Sequence, residues 1–182
     1  MKIQFYGGTS FGIFGKTTKV AFDPLPDFKE KNLDFVMSSR GADLSEIEAK
    51  KHLSLAGEFE ISGVLVRGFF NGKENTIYKV ICDDLTLVHF GQLPAQPDTK
   101  FVEQLGENVD VAFINLSKEF GPKEAKTLLE NLDPRMAIFG GDPIFFPKMA
   151  EISGVKTAET NPINISKSNL SDETTELLIL PL

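Results

Sequence analysis

Short runs of β-branched and aromatic residues, separated by pairs of turn-forming residues, fill much of the first half of the chain. The clearest succession covers residues 58–90, where Ser62-Gly63, Asn71-Gly72 and Asp83-Asp84 separate four such runs. Turn-type pairs between apolar runs are typical of strands that are joined by tight turns. This part of the sequence therefore predicts a strand-rich fold.

The second half of the chain has a different pattern, in which helices alternate with strands. Asp98 is expected to cap a short helix that Gly106 ends, and Pro122 suits the start of a longer helix that Pro134 stops. The other elements expected here are strands at residues 109–114, 136–139 and 175–180 and a helix over residues 144–152. β-Sheets with helices packed outside them satisfy the whole pattern.

The charge and composition of the chain argue against several classes of partner and location. Its net charge is −7, its pI is about 4.9 and its lysines are scattered, so nucleic acid and anionic membranes are disfavoured as partners. No apolar run approaches the ~20 residues that cross a membrane, and the apolar start is too short for a signal peptide. The one cysteine, Cys82, cannot form an internal disulfide. We therefore expect a cytoplasmic protein.

Several segments occur in an order that resembles one known family, and they extend over nearly the whole chain. They are Ile3-x-Phe5-x-Gly7-Gly8-x-Ser10-Phe11, Phe22-Asp23-Pro24, Ala56-Gly57-Glu58-Phe59-Glu60-Ile61, Asn75-Thr76-Ile77-Tyr78, His89-Phe90-Gly91-Gln92-Leu93 and Ile165-Ser166-Lys167-Ser168-Asn169-Leu170. Together they resemble the UlaG-like predicted zinc-dependent hydrolases of the metallo-β-lactamase superfamily. The resemblance implies a single domain over residues 1–182, of the α/β (α+β) class, folded as a four-layer αββα sandwich.

The positions that carry metal ligands in that family are altered here. Its His-x-His-x-Asp-His motif aligns with residues 40–45, where Arg40, Ala42, Leu44 and Ser45 replace the four ligands. Gly8, Gln92 and Gly141 replace the opening His, the bridging Asp and the late His. The vestigial cleft that the resemblance implies thus comprises Gly8, Arg40, Ala42, Asp43, Leu44, Ser45, His89, Gln92, Gly141 and Asp142.

A count of histidines agrees with this loss without reference to any family. The chain contains only His52 and His89, with no His-x-His, His-x-x-x-His or Cys-x-x-Cys pair. Zinc sites rich in nitrogen or sulfur ligands need several such residues, so no such site can be assembled. A hard cation held by oxygen alone stays open as an alternative, and the candidate ligands for it are Asp23, Asp43, Glu58 and Asp142.

Three functional hypotheses follow from the sequence. The first is a metal-free and catalytically silent protein, with no cofactor and no catalytic residue, that binds a small molecule or a protein. The second is a hydrolase with a rebuilt site, which requires Asp43, Gln92, His89 and Asp142 to converge in one cleft. The third is a structural subunit in a homo- or hetero-oligomer.

Other candidate residues also have structural interpretations. Asp43, with Glu46 three residues later, resembles a capping box that opens a helix toward Lys51. His89 is a candidate general base, but a hydrogen-bonded structural histidine is the favoured interpretation. Cys82 precedes two aspartates, which favours an inert thiol. One residue of each pair Phe69-Phe70 and Phe145-Phe146 is expected at the surface unless a further layer covers it.

Overall fold

Two β-sheets that face each other form the centre of the computed structural model, which describes residues 1–72 and 75–182. The strands in chain order are β1 (Lys2–Gly7), β2 (Ser10–Phe14), β3 (Lys19–Phe22), β4 (Leu33–Met37), β5 (Ala49–Leu53), β6 (Gly57–Ile61), β7 (Val64–Phe70), β8 (Thr76–Cys82), β9 (Leu85–His89), β10 (Val111–Leu116), β11 (Met136–Gly141), β12 (Lys156–Thr157), β13 (Ile163–Asn164) and β14 (Glu176–Ile179). The helices are α1 (Thr99–Gln104), α2 (Pro122–Leu132) and α3 (Phe146–Ser153), and short 3₁₀ turns cover Pro143–Phe145 and Lys167–Asn169.

One sheet has six strands in the order β13-β1-β2-β3-β4-β5, and the other has eight in the order β12-β14-β11-β10-β9-β8-β7-β6. The strands β6 to β9 run antiparallel, whereas β9, β10, β11 and β14 run parallel. Two of the predicted turns are confirmed, because Ser62-Gly63 and Asp83-Asp84 each place two consecutive residues at positive φ. This geometry matches the right-handed twist of hairpin strands.

The main core lies between the two sheets and is rich in aromatic rings. Phe113 on β10 packs against Phe11 and Phe22 of the six-stranded sheet, with ring centroids 4.8 and 5.7 Å away. All three rings are fully buried, and Tyr78 is buried with them. Because each strand places alternate side chains on opposite faces, the remaining apolar residues point outward and require a second covering layer.

The three α-helices of the described residues cover the outer face of the eight-stranded sheet. The expected starts of α1 and α2 are confirmed, since the Asp98 side chain accepts a bond from the backbone of Phe101 and Pro122 opens α2. The third expected helix is also confirmed as α3. Phe69 packs against α1 while Phe70 is exposed, whereas Phe145 and Phe146 are both half-buried against this helical layer.

The outer face of the six-stranded sheet is covered by a loop layer, which we define as residues 24–32 and 40–48. Phe28, Leu44 and Ile47 from these loops pack on Leu33 and Val36. The helix expected from Asp43 toward Lys51 is therefore wrong, and this stretch forms turns followed by β5.

The physical reason lies in the side chain of Asp43 and in the free edge of the sheet. The carboxylate accepts a bond from the backbone of Ser45, two residues on, which makes a local turn in place of a helix cap. The following strand then pairs in parallel with β4 through Leu33↔Ala49 and Met37↔Leu53. The expected αββα fold class is confirmed, with this loop layer as one outer layer in the part of the chain that the structure describes.

The short strands β12 and β13 were not expected from the sequence. Each has only two residues and pairs at the edge of its sheet. Within residues 1–72 and 75–182, no helix combines the length and the apolar character that crossing a membrane requires.

Candidate functional site

Polar residues collect where strands β3, β4, β9, β10 and β11 end, at one rim of the sandwich. Asp23 follows β3, Ser39 follows β4 and Gly91 follows β9, while Asn115 and Gly141 lie at the ends of β10 and β11. Loops that leave a rigid sheet at its rim are common locations of binding residues. The residues at this rim form two kinds of region. In one, which we call the locked centre, the polar groups already bond to one another, and beside it lie two open pockets.

Asp23 and Ser39 form the first part of the locked centre. Asp23 lies at a φ of +43° just after β3, and its own N–H donates to the carbonyl of Met37 at 2.8 Å. One carboxylate oxygen accepts from the Ser39 N–H at 2.6 Å, and the other accepts from the Ser39 hydroxyl at 2.7 Å. Both carboxylate oxygens of Asp23 are therefore occupied by the neighbouring loop.

His89 forms the second part of the locked centre. Its ring is fully buried and stacks on Phe22, with centroids 4.6 Å apart and planes 5° apart. Nε2 lies 3.0 Å from the Thr9 carbonyl, and Nδ1 accepts from the Gly91 N–H at 3.2 Å. These partners fix the tautomer with its proton on Nε2. With both nitrogens occupied, His89 has the geometry of a structural histidine.

Burial lowers the pKa of His89, although the Asp23 carboxylate, 4.0 Å from Nδ1, and the Thr9 carbonyl act in the opposite direction. The folded protein therefore binds this proton more weakly than the unfolded chain, in which histidine titrates at about 6.5. Between the two pKa values the unfolded state holds more protons. The stabilising contribution of neutral His89 is thus complete above pH ~6.5 and is lost as the pH falls.

We expect the free energy of unfolding to fall by up to about 1.4 kcal/mol per pH unit below pH ~6.5. Urea unfolding at a series of pH values between neutrality and the range where carboxylates titrate measures this slope. His89→Gln should remove the slope, whereas His52→Gln, at the exposed second histidine, should retain it. An unchanged slope in His89→Gln contradicts the assignment.

A cavity of about 450 Å³ opens beside the locked centre, and we call it the polar cavity because most of its lining residues have polar side chains. Four residues of the sequence-predicted cleft line it, namely Gly8, Gln92, Gly141 and Asp142. The sequence did not indicate the other lining residues, which are Thr9, Leu25, Asn115, Leu116, Ser117, Lys118 and Glu119. A signal for three of them exists, because the polar run from Ser117 to Glu119 directly follows an entirely buried strand.

Two glycine residues join the walls of the polar cavity. The Gly141 N–H donates to the Gly8 carbonyl at 2.6 Å and links the β1–β2 loop to the end of β11. Both glycines have positive φ, a conformation that side chains disfavour. Asp142 then donates its N–H to the Leu116 carbonyl at 2.8 Å, and its carboxylate accepts from the Ile144 N–H at 3.0 Å.

Arg40 lies on the other side of Gln92 and belongs to a second pocket. One guanidinium nitrogen donates to the Gln92 side-chain oxygen at 2.7 Å. Arg40 lines the pocket between the loop after β4 and residues 54–56, while Gln92 lines the polar cavity. The hydrogen bond between them separates the two pockets.

The rest of the predicted cleft lies outside the polar cavity. Ala42 donates its N–H to the Ser38 hydroxyl at 2.7 Å, Ser45 bonds Asp43, and Leu44 is buried in the loop layer. The hydrogen bonds from Ser45 lower the pKa of the Asp43 carboxyl. The convergence of Asp43, Gln92, His89 and Asp142 that a rebuilt hydrolase site requires is not found, since only Gln92 and Asp142 line the cavity.

The donor set at this rim does not fit the zinc that the resemblance implies. In residues 1–72 and 75–182, no group of three or more His, Cys, Asp or Glu side chains could hold a metal ion. The Asp23 oxygens and both His89 nitrogens already have partners, and the Arg40 guanidinium brings a fixed positive charge. Glu58, a candidate for an oxygen-only site, pairs instead with Arg67 at 3.1 Å.

Cys82 has the inert environment that the sequence favours. The thiol is buried, and this burial, together with the nearby Asp83 carboxylate, raises its pKa to about 12. A thiolate is the reactive form of cysteine, so a thiol with this pKa is not a nucleophile at neutral pH.

Comparisons with known proteins find one matching family and several solved structures with the same fold. Residues 2–139 match the sequence model of a family described as "Beta-lactamase superfamily domain". No curated protein sequence matches the chain.

Among solved structures, a proposed Zn-dependent hydrolase of the metallo-β-lactamase superfamily from Thermotoga maritima is 17% identical, with a TM-score of 0.84 over 99% of both chains. A metallo hydrolase from Ignicoccus hospitalis is 14% identical, with a TM-score of 0.63 over 91% of this chain and 99% of the other. A proposed metal-dependent hydrolase from Parabacteroides distasonis is 13% identical, with a TM-score of 0.65 over 82% and 86%. At these identities the likeness shows a shared fold.

Proposed function

Because this chain belongs to the Beta-lactamase superfamily domain family, we propose that it keeps the hydrolase fold as a metal-free, catalytically silent binding protein. The main support for this proposal is that the polar groups at the rim, where the metal site of the family would lie, bond to each other. Asp23 is hydrogen-bonded to Ser39, His89 to Thr9 and Gly91, and Gln92 to Arg40. A site that must coordinate a metal or a nucleophilic water needs such groups unoccupied.

The polar cavity supports a binding role. Its volume of about 450 Å³ lies within the range of ligand pockets, about 300–1,000 Å³. Its lining offers the hydroxyls of Thr9 and Ser117, the Lys118 ammonium and the Asp142 carboxylate as hydrogen-bonding groups. We propose a small molecule as the ligand of this cleft.

A metal and turnover assay tests the silent character of the protein. We expect substoichiometric zinc after incubation with zinc chloride and removal of the excess by dialysis. We also expect no zinc-dependent hydrolysis of bis(p-nitrophenyl) phosphate, of a lactone or of a thioester. Mass spectrometry of the metal content and absorbance assays measure the two results, with an established zinc β-lactamase as the positive control. One equivalent of bound zinc together with zinc-dependent turnover contradicts the proposal.

Solvent mapping by ¹H–¹⁵N NMR tests the binding role separately. Acetamide, isopropanol and acetate serve as probe molecules because together they cover neutral donors, apolar groups and anions. We expect shifts of the backbone amides of Gly8, Thr9, Gln92 and Gly141, which line the polar cavity, or of residues at the Arg40 pocket. Gly63, in the turn between β6 and β7, serves as the internal reference. Probes that leave both pockets unperturbed count against a binding function.

We also propose that the protein works in the cytoplasm. Its one cysteine is a free, buried thiol, and such a thiol persists in a reducing compartment. Association with a second copy or with another chain stays a prediction from the sequence.

A further inference from the structure

The Arg40 pocket differs in character from the polar cavity. It has a volume of about 370 Å³, and its wall includes Arg40, Leu55, Ala56, Phe70 and Thr76. Among residues 1–72 and 75–182, no acidic residue lines it, although the chain as a whole carries a net charge of −7. The Arg40 cation on an acidic protein favours an anionic ligand in this pocket.

Two large apolar side chains that line the Arg40 pocket are exposed. Leu55 is 71% exposed and Phe70 is 63% exposed, and both belong to the small set of large hydrophobic residues at the surface of the described residues. Scattered apolar residues at a surface are ordinary, but two of them in one concave pocket mark a site of interaction. The described lining of the pocket thus combines exposed apolar side chains with the Arg40 cation.

The backbone beneath this apolar wall is fixed before any ligand arrives. The buried Tyr78 hydroxyl lies 3.3 Å from the Ser38 carbonyl and 3.4 Å from the Leu55 carbonyl, and its one proton is shared between these two acceptors. Gly68 on β7 lies so close that a Cβ atom there would be 2.9 Å from the Leu55 carbonyl. The Thr76 N–H donates to the Ser39 carbonyl at 2.7 Å, and this bond fixes the backbone of two further lining residues of the Arg40 pocket. A wall held in this way loses little conformational entropy on binding.

The Arg40 guanidinium is also held in place. One of its nitrogens donates to the Gln92 side-chain oxygen at 2.7 Å, which restricts the orientation of the planar group. A guanidinium has five N–H donors in a fork that matches a carboxylate. The bond to Gln92 uses one of these donors.

We propose that the Arg40 pocket binds a small carboxylic acid with an acyl or aryl body. The carboxylate pairs with Arg40, and the apolar body lies against Leu55 and Phe70. This inference rests on the proposed binding function and assigns a ligand class to the second of the two pockets.

Phenylpropionate and the neutral phenylpropanamide test the proposal as a matched pair, because they share the aryl body and differ in charge. Titration calorimetry measures both affinities, and ¹H–¹⁵N NMR locates the bound molecule. We expect the acid to bind at least about 10-fold more tightly than the amide, with shifts at Arg40, Leu55 and Phe70.

Two variants separate the contributions of charge and of the apolar wall. Arg40→Gln should remove the preference for the acid, and Phe70→Ala should weaken both ligands several-fold. Lys123→Gln, which removes one exposed positive charge from α2, is the matched control and should bind like the parent protein. Arg40, Phe70 and Lys123 are all exposed, so we expect each variant to remain folded. Unfolding curves check this.

Equal affinity for acid and amide overturns the inference, as does an acid preference that survives Arg40→Gln. Shifts confined to Gly8 and Gly141 place the ligand in the polar cavity, which overturns this inference while the proposed binding function stands. A dimer in light scattering, with Leu55 and Phe70 shifts that depend on protein concentration, assigns the pocket to a second copy and also overturns it. Zinc-dependent turnover in the separate assay is the result that removes the proposed function itself.

Discussion

Replacing Gly141 by alanine is expected to lower the free energy of unfolding by more than about 4 kcal/mol, enough to prevent stable folding. Gly141 ends β11 opposite Leu116 of β10 and has a φ of +91°. A Cβ atom at this position would lie 2.1 Å from the Leu116 carbonyl oxygen and 2.5 Å from its nitrogen. Backbone atoms within a parallel pair of strands cannot move aside as a flexible side chain can, so the two strands must separate.

Gly154→Ala is the matched control for this substitution. Gly154 has a φ of +68° after α3, and nothing lies within 4 Å of a Cβ atom built there. Its replacement therefore carries only the backbone cost of a left-handed residue, about 1–2 kcal/mol. Urea unfolding followed by circular dichroism measures both variants. Equal losses at the two positions would show that backbone conformation alone decides the cost and that the close approach to Leu116 is unimportant.

Phe113→Ala is expected to cost about 3–5 kcal/mol, because it opens a cavity where the two sheets meet. The ring of Phe113 is fully buried and lies within about 6 Å, between centroids, of Phe11, Phe22 and His89. Phe70→Ala makes the same chemical change at a ring that is 63% exposed, and should cost less than about 1 kcal/mol.

Chemical denaturation measures both phenylalanine variants, and hydrogen exchange shows whether the cavity loosens the strands around it. A loss in Phe113→Ala as small as that in Phe70→Ala would mean that the sheets close over the gap. Such collapse is disfavoured, because the neighbouring rings come from both sheets and the strands that carry them are fixed by their hydrogen-bond ladders.

The parts of the fold that the sequence predicted correctly depend on short-range signals. Asp98, Pro122 and the turn pairs at Ser62 and Asp83 act within a few residues of themselves, so their effects can be derived from the local sequence. The stretch from Asp43 to Leu53 was predicted wrongly because its local signal suits both a helix and a turn. Part of this stretch forms a strand because it pairs with the free edge of β4, and this pairing is a tertiary contact that the local sequence does not show.

The candidate site divides in the same way. Gly8, Gln92, Gly141 and Asp142 were identified through the family resemblance, and the structure brings them to one cavity. Thr9 and Asn115 were missed, because their place in the site depends on contacts between distant segments. Thr9 meets His89 across 80 residues of sequence, and Asn115 donates to Gly91 across 24.

Because the loop layer covers one face of the sandwich and helices cover the other, we expect the two faces to differ in how readily their segments open. On the helical face, opening a segment breaks the cooperative hydrogen bonds of α2 and its packing against the eight-stranded sheet. On the other face, the segments around Phe28 and Ile47 are held by isolated turn bonds and a few apolar contacts. Subglobal opening under native conditions is therefore expected to begin in the segments around Phe28 and Ile47. Amide hydrogen exchange there should be faster than in α2.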